Sequence, residues 1–203
     1  MKYTQGKSLV NVVAVDSRCA EVMKEIASGA VPSDAVVIYK GRNCVYKINR
    51  GGQWLCVKAF RSPGMINSLI YTRFRDSKAK RSFDFARRLL SMGIGTPAPI
   101  GYAEVKSSGR LRGSYYVSQL LDADNLRQWE DKPDADGLVD AFAAEMVKIH
   151  RCGVLHKDFS PGNVLYTKDL DGRYRFYLID LNRMEFGVRS HSRLMRNFRA
   201  INL

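Results

Sequence analysis

The chain lacks most features that mark specialised classes of protein. Four cysteines among 203 residues, Cys19, Cys44, Cys56 and Cys152, stand far apart with no C-x-x-C pair. That excludes a disulfide scaffold and leaves buried free thiols as the expectation. The three histidines, His150, His156 and His191, complete no zinc-ligand spacing with them. No apolar run approaches the ~20 residues that span a bilayer. Leu9 to Val15 is too short and interrupted to read as a signal peptide, so the expected location is cytoplasmic. Internal repeats and low-complexity segments are absent. So are a carboxylate anywhere between Asp34 and Asp76, a glutamate between Glu25 and Glu104, and any G-x-G-x-x-G loop.

What is present is a folding chain with a strong basic bias. Hydrophobic residues make up 45% and aromatics 10%, which excludes general disorder. The length suits one domain or two small lobes. Thirty-three Lys and Arg against 20 Asp and Glu give a net charge of +13. Residues 1–102 hold 17 basic and 6 acidic side chains, against 16 and 14 in residues 103–203. Such asymmetry predicts an anionic partner: phosphates, nucleic acid or an acidic membrane surface.

Periodicity predicts the elements. Asp16 or Ser17 can cap a helix that carries Val22, Met23 and Ile26 and stops at Gly29. Residues 36–39, 44–48 and 54–60 read as three strands, joined by the turn Gly41-Arg42-Asn43 and the Gly51-Gly52 hairpin. A helix is expected over 77–92, ended by Gly93, then strands near 100–105 and 114–120. From Asn125 the pattern turns helical, with a buried helix over 134–151 and a hairpin at Asp171-Gly172. The predicted fold is α+β and two-lobed. Residues 1–121 form a small antiparallel-sheet lobe with one key helix and an extra N-terminal helix. Residues 122–203 form a short, mainly helical second lobe, and Arg189–Leu203 is read as one basic helix.

Three segments carry chemistry. In His156-Lys157-Asp158-Phe159-Ser160-Pro161-Gly162-Asn163, an Asp is followed five residues later by an Asn, the catalytic-loop spacing of protein-kinase-like enzymes. There the Asp orients and deprotonates an attacking hydroxyl, and the Asn amide oxygen helps hold a metal. Taken alone, the same residues could simply cap a loop. Asp180 ends the apolar strand Tyr177-Leu178-Ile179, where a metal-binding D-F-G aspartate belongs, but the tripeptide here is Asp180-Leu181-Asn182. Lys58 sits in Leu55-Cys56-Val57-Lys58-Ala59-Phe60, like the V-A-I-K lysine that grips nucleotide phosphates. A lone strand lysine can also be a solvent-facing partner. The usual helix glutamate for such a lysine is missing, leaving Asp76 or, preferably, Asp84. In the turn before Val45, Gly41 permits a tight bend, and Arg42 and Asn43 could contact phosphates.

These segments, with Ser77–Phe83, the Gly93-Ile94-Gly95-Thr96-Pro97-Ala98-Pro99 stretch and Asp180-Leu181-Asn182-Arg183-Met184, resemble the lipopolysaccharide kinase family. Its members phosphorylate 3-deoxy-D-manno-octulosonic acid (Kdo) or heptose in the inner core and have a protein-kinase-like fold. The resemblance runs from about residue 36 to 187. It implies Asp158 as base, Asn163 and Asp180 as magnesium ligands, and Lys58 as phosphate ligand; Ser82 falls where the helix glutamate aligns.

The resulting expectation is an ATP- and Mg²⁺-dependent phosphotransferase. Its adenine would lie near Gln119 to Leu121, and its acceptor would be a lipopolysaccharide precursor or another anionic glycolipid. The basic first half and tail would dock peripherally on the anionic inner face of the cytoplasmic membrane. Rival readings are a small protein kinase and a non-catalytic pseudokinase-like nucleotide-binding module; no specific nucleic-acid partner is expected. Only 23 residues follow Asp180, so either the second lobe is minimal or the chain is a truncated form.

Overall fold

Strand alternation and helix capping account for most of the architecture seen in the computed structural model, which describes residues 1–60 and 76–199. Arg61, Arg73 and Arg75 of the carboxylate-free stretch lie outside the described residues, as do the last four residues of the tail. The first unit of the chain comprises Met1–Arg87 and Ala98–Leu120, and the second Arg88–Pro97 and Leu121–Leu203.

The first unit is a seven-stranded antiparallel sheet of β1 (Lys2–Gln5), β2 (Ser8–Ala14), β3 (Val36–Lys40), β4 (Cys44–Arg50), β5 (Gln53–Phe60), β6 (Pro99–Ser107) and β7 (Arg110–Gln119). The spatial order is β1-β2-β6-β7-β5-β4-β3. Between β4 and β5, Gly51 and Gly52 adopt φ of +61° and +81°, the two left-handed positions of a tight two-residue hairpin. Helix α1 (Ser17–Ala27) starts where Asp16 accepts the Cys19 N–H at 2.7 Å, and it ends at Gly29. Its Met23, Ile26 and Ala27 are buried with Leu55, Val57 and Ala103 of the sheet. Phe60 and Tyr102 instead pack with Ala79 and Phe83 of helix α2 (Lys78–Ser91). Because Tyr102 and Ala103 are strand neighbours, α1 and α2 cover opposite faces of the sheet.

The sheet extends beyond the strands read from the sequence: residues 2–14, assigned no element there, form its edge hairpin. The alternation is short: Val10 and Val12 face inward around Asn11, and a two-residue turn at Gly6-Lys7 sets the register. The cysteines are free but half-buried, and burial pushes the Cys56 thiol up to about 11.

In the second unit, helix α3 (Ala135–Arg151) buries Leu138, Phe142, Met146 and Ile149 along one stripe. Gly153 (φ +68°) donates to the His150 carbonyl and Val154 to that of Ile149, the paired bonds of a Schellman stop. Strands β8 (Asp124–Asn125), β10 (Val164–Lys168) and β11 (Tyr174–Leu178) form one small sheet, and β9 (Leu155–His156) pairs with β12 (Met184–Glu185). Among its described residues, the tail is not one helix but two short ones, α4 (His191–Leu194) and α5 (Arg196–Arg199), interrupted at Met195. Side-chain ties from Arg193 and Asn197 back to the β9–β12 region set its course. Among the described residues, no helix is long and apolar enough to cross a membrane.

Met23 is completely buried between α1 and the sheet. Met23→Ala is expected to lower unfolding free energy by about 2–5 kcal/mol in urea denaturation.

Candidate active site

In the second unit, the chain folds so that two short segments lie side by side. Lys157 N–H donates to the Arg183 carbonyl at 2.9 Å, His156 pairs with Met184, and Ile179 N–H donates to the Asn163 carbonyl at 2.9 Å. These ties bring the Asp158–Asn163 loop against the segment carrying Asp180. Within the loop, the Asn163 amide nitrogen donates to the Asp158 carbonyl at 2.8 Å, leaving its amide oxygen as an acceptor. Phe159 anchors the loop to α3 by stacking on Phe142, with ring centroids 6.2 Å apart.

Asp180 has φ +58° and ψ +47°, a left-handed backbone uncommon outside glycine. The peptide turns there from β11 into the 3-10 turn Leu181–Arg183. Asn182, buried where a D-F-G glycine would stand, donates its amide to Asp180 Oδ1 at 2.5 Å. Asp180 and Asn163 together supply a carboxylate and an amide oxygen, hard donors that suit Mg²⁺.

The Gly93–Pro99 stretch has a structural meaning. Gly93 (φ +69°) closes α2, and Gly95 accepts the Leu178 N–H at 2.9 Å. A Cβ at Gly95 would lie 2.0 Å from the Phe176 carbonyl oxygen, so only glycine permits this approach. Thr96 then donates its hydroxyl to the Leu178 carbonyl at 2.8 Å. The strand leading into Asp180 is thus held on both its N–H and C=O.

The first unit gathers a second set of residues. Lys58 pairs in register with Val45 on β4 and Tyr116 on β7, and its Nζ lies 5.5 Å from the Phe60 ring centroid. It therefore shares the α2 face of the sheet. Gly41 begins the β3–β4 turn that includes Arg42 and Asn43, and its N–H donates to the Asn43 carbonyl at 3.0 Å. A side chain at Gly41 would collide with the Tyr39 hydroxyl. Gln119 lies opposite Leu55, and its N–H donates to the Ala98 carbonyl; Leu121 belongs to the second unit. Asp84 is found in an ion pair with Lys80 at 3.2 Å, and Asp76 meets the same lysine at 2.7 Å. Ser82, at the aligned glutamate position, is buried and donates back to the Lys78 carbonyl.

Residues 41–202 match the family described as lipopolysaccharide kinase (Kdo/WaaP). The chain belongs to that family. It is a kinase, with the protein-kinase-like fold. A 3-deoxy-D-manno-octulosonic acid kinase from Vibrio parahaemolyticus is 20% identical over 171 residues, covering 78% of this chain and 70% of its own. Among solved structures, WaaP in complex with acyl carrier protein superposes with a TM-score of 0.65 at 19% identity, over 94% of this chain and 79% of that one. The ADP/Mg²⁺-phosphoaspartate complex of Rio2 kinase from Chaetomium thermophilum gives 0.61 at 18%, over 88% and 57%.

Four residues given no role by the sequence reading contact the candidate loop of this kinase or the segment beside it. Besides Asn182, Arg183 reaches Asp158 Oδ1 at 2.8 Å. Asn197 receives the His156 N–H at 3.3 Å and donates to its carbonyl at 2.7 Å, occupying the strand edge left open opposite β12. Arg127 lies against Gly162, whose carbonyl accepts from Asn125 at 3.0 Å. No local signal marks such partners, because each contact arises only when distant segments meet.

Burial sets the state of His156, which is 1% exposed. Its Nε2 lies 3.0 Å from the Ile179 carbonyl, so this nitrogen carries the proton. Desolvation pushes its pKa below the ordinary 6.5, outweighing that hydrogen bond and the charges of Asp180 and Asp158. Half-buried His150 shifts the same way. With folded values depressed, the unfolded chain takes up protons first as pH falls. Stability is complete above 6.5 and declines below it. Thermal melts of the kinase should show Tm falling from about pH 6.5 downward, and His156→Gln should flatten part of that slope. In a separate test, Gly95→Ala should destabilise by about 1–3 kcal/mol or more in urea, since the clash is with backbone.

Proposed function

We propose that this kinase transfers the γ-phosphoryl group of ATP to a sugar hydroxyl of the lipopolysaccharide inner core, on Kdo or heptose. Family membership supports the reaction class. The observation that carries the assignment of residues is the Ile179–Asn163 backbone hydrogen bond, which sets the loop of Asp158 and Asn163 beside Asp180.

In this reading Asp158 accepts the proton of the acceptor hydroxyl as its oxygen attacks the γ-phosphorus, and ADP leaves with the electrons of the broken P–O bond. Lys58 holds nucleotide phosphates as a point charge, with Arg42 and Asn43 of the Gly41 turn over them and Val45 beside them. The adenine lies near Gln119 and Leu121. Asp180 and Asn163 would hold Mg²⁺, which would supply positive charge against the nucleotide phosphates. Among the described residues no three His, Cys, Asp or Glu side chains gather as a metal site. The excess of Lys and Arg in residues 1–102 suits a peripheral position on the anionic cytoplasmic leaflet, where the glycolipid acceptor resides.

The test is transfer from γ-labelled ATP to a Kdo-terminated lipid A acceptor. Wild type should label the sugar, EDTA should abolish transfer, and Mg²⁺ should restore it. Asp158→Asn should lower kcat by about 10²–10⁴-fold while leaving Tm close to wild type. Undiminished transfer by Asp158→Asn, or none by wild type to any sugar acceptor, overturns the reading.

A further inference from the structure

The Asp158–Arg183 contact has backbone that is fixed and side chains that are open. Lys157 N–H to Arg183 C=O, and the His156–Met184 pairing beside it, hold the two chains in register. The Arg183 side chain nevertheless remains 56% exposed and that of Asp158 38%. An ion pair so exposed contributes little to stability. It is therefore readily exchanged for another carboxylate of better geometry. The guanidinium carries five N–H donors in a planar fork, and its closest approach to Asp158 is Nη1 to Oδ1 at 2.8 Å.

The other cations nearby are committed differently. Lys157 pairs with Glu185 at 2.8 Å, and Arg193 grips the same Glu185 at 2.7 Å. Both hydrogen bonds hold the Glu185 carboxyl below its ordinary range, so that group stays ionised and keeps its partners. Arg183 differs from both: its partner is the carboxylate proposed to receive the acceptor's proton. While Arg183 engages Asp158, one of the oxygens the incoming hydroxyl needs is occupied.

We infer that Arg183 is the anchor for a carboxylate on the acceptor, so that the substrate is a sugar acid rather than a neutral sugar. This rests on the phosphotransfer reading above, and of its two candidate sugars it selects the acid, Kdo, over heptose. The acceptor carboxylate takes the guanidinium in a bidentate contact and displaces Asp158. One exchange both orients the sugar and frees Asp158 to accept the hydroxyl proton. The chemistry of the ligand follows from what now occupies the guanidinium, which is itself a carboxylate.

The experiment compares a free Kdo glycoside, its carboxamide, and a neutral sugar bearing a phosphate. Binding to the nucleotide-free protein is read by calorimetry, and transfer is read as the ratio of kcat/KM for acid over carboxamide. Wild type should bind the acid about 10- to 100-fold more tightly than the carboxamide. Arg183→Gln should bring that preference and the kcat/KM ratio toward one. Arg183→Lys, which keeps the charge and loses the fork, should fall between them and provides the comparison should Arg183→Gln fold poorly.

Equal binding of acid and carboxamide by wild type, or an unchanged ratio in Arg183→Gln with lower kcat for both acceptors, overturns the inference and leaves Arg183 as a positioning residue. A phosphorylated sugar that binds as tightly as the acid and is lost in Arg183→Gln overturns the carboxylate assignment. Failure of the phosphotransfer reading looks different: no transfer to either acceptor, with the acid preference in binding intact.

Discussion

The placement of Asp158, Asn163 and Asp180 depends on the stitching of residues 156–163 to residues 179–185. Three backbone features do this: Lys157 to Arg183, the β9–β12 pairing, and Ile179 to Asn163. These bonds join main-chain groups, so the two segments are held in register independently of their side chains. Asp158, Asn163 and Asp180 can then differ in role while sharing one frame. The frame has its own supports. Gly95 and Thr96 hold the strand that enters Asp180, Phe142 stacks beneath the loop, and Asn197 closes the open edge of His156. The left-handed backbone at Asp180 is strain of the kind that persists only where the surroundings over-determine it.

Helices α1, α2 and α3 were legible in the sequence because their apolar stripes are long and their ends carry local chemistry. Asp16 caps the first, and Gly29, Gly93 and Gly153 stand just beyond the three C-termini. The β3–β5 meander was legible from its turn residues. The edge hairpin of residues 2–14 was not, because a strand with Val10 and Val12 around Asn11 offers too short an alternation to stand out from a loop. The tail defeated periodicity for a different reason. Its path is set by Glu185 and His156, which local sequence around Arg193 and Asn197 does not reveal.

The site shows the same division. Spacing alone joined Asp158 to Asn163, and chain order placed Asp180 after them. The adjacency of Arg183 to Asp158 arises across 25 positions and carries no spacing rule. The basic surplus is also clearer in structure than in composition. Arg50 is held by Glu25 and Asp34, Lys47 lies over Trp54, and Arg88 over Phe186. Part of the charge thus serves local packing and pairing, and cannot be counted toward an anionic partner.

The central claim is that Asp158 acts as a base in direct transfer, without becoming phosphorylated itself. The stereochemical course at phosphorus tests it most directly, using ATP made chiral at the γ-phosphoryl group and analysing the sugar phosphate formed. One in-line displacement inverts the configuration, and inversion is the result the account predicts. Retention would mean two displacements through a phosphorylated enzyme, and would contradict it.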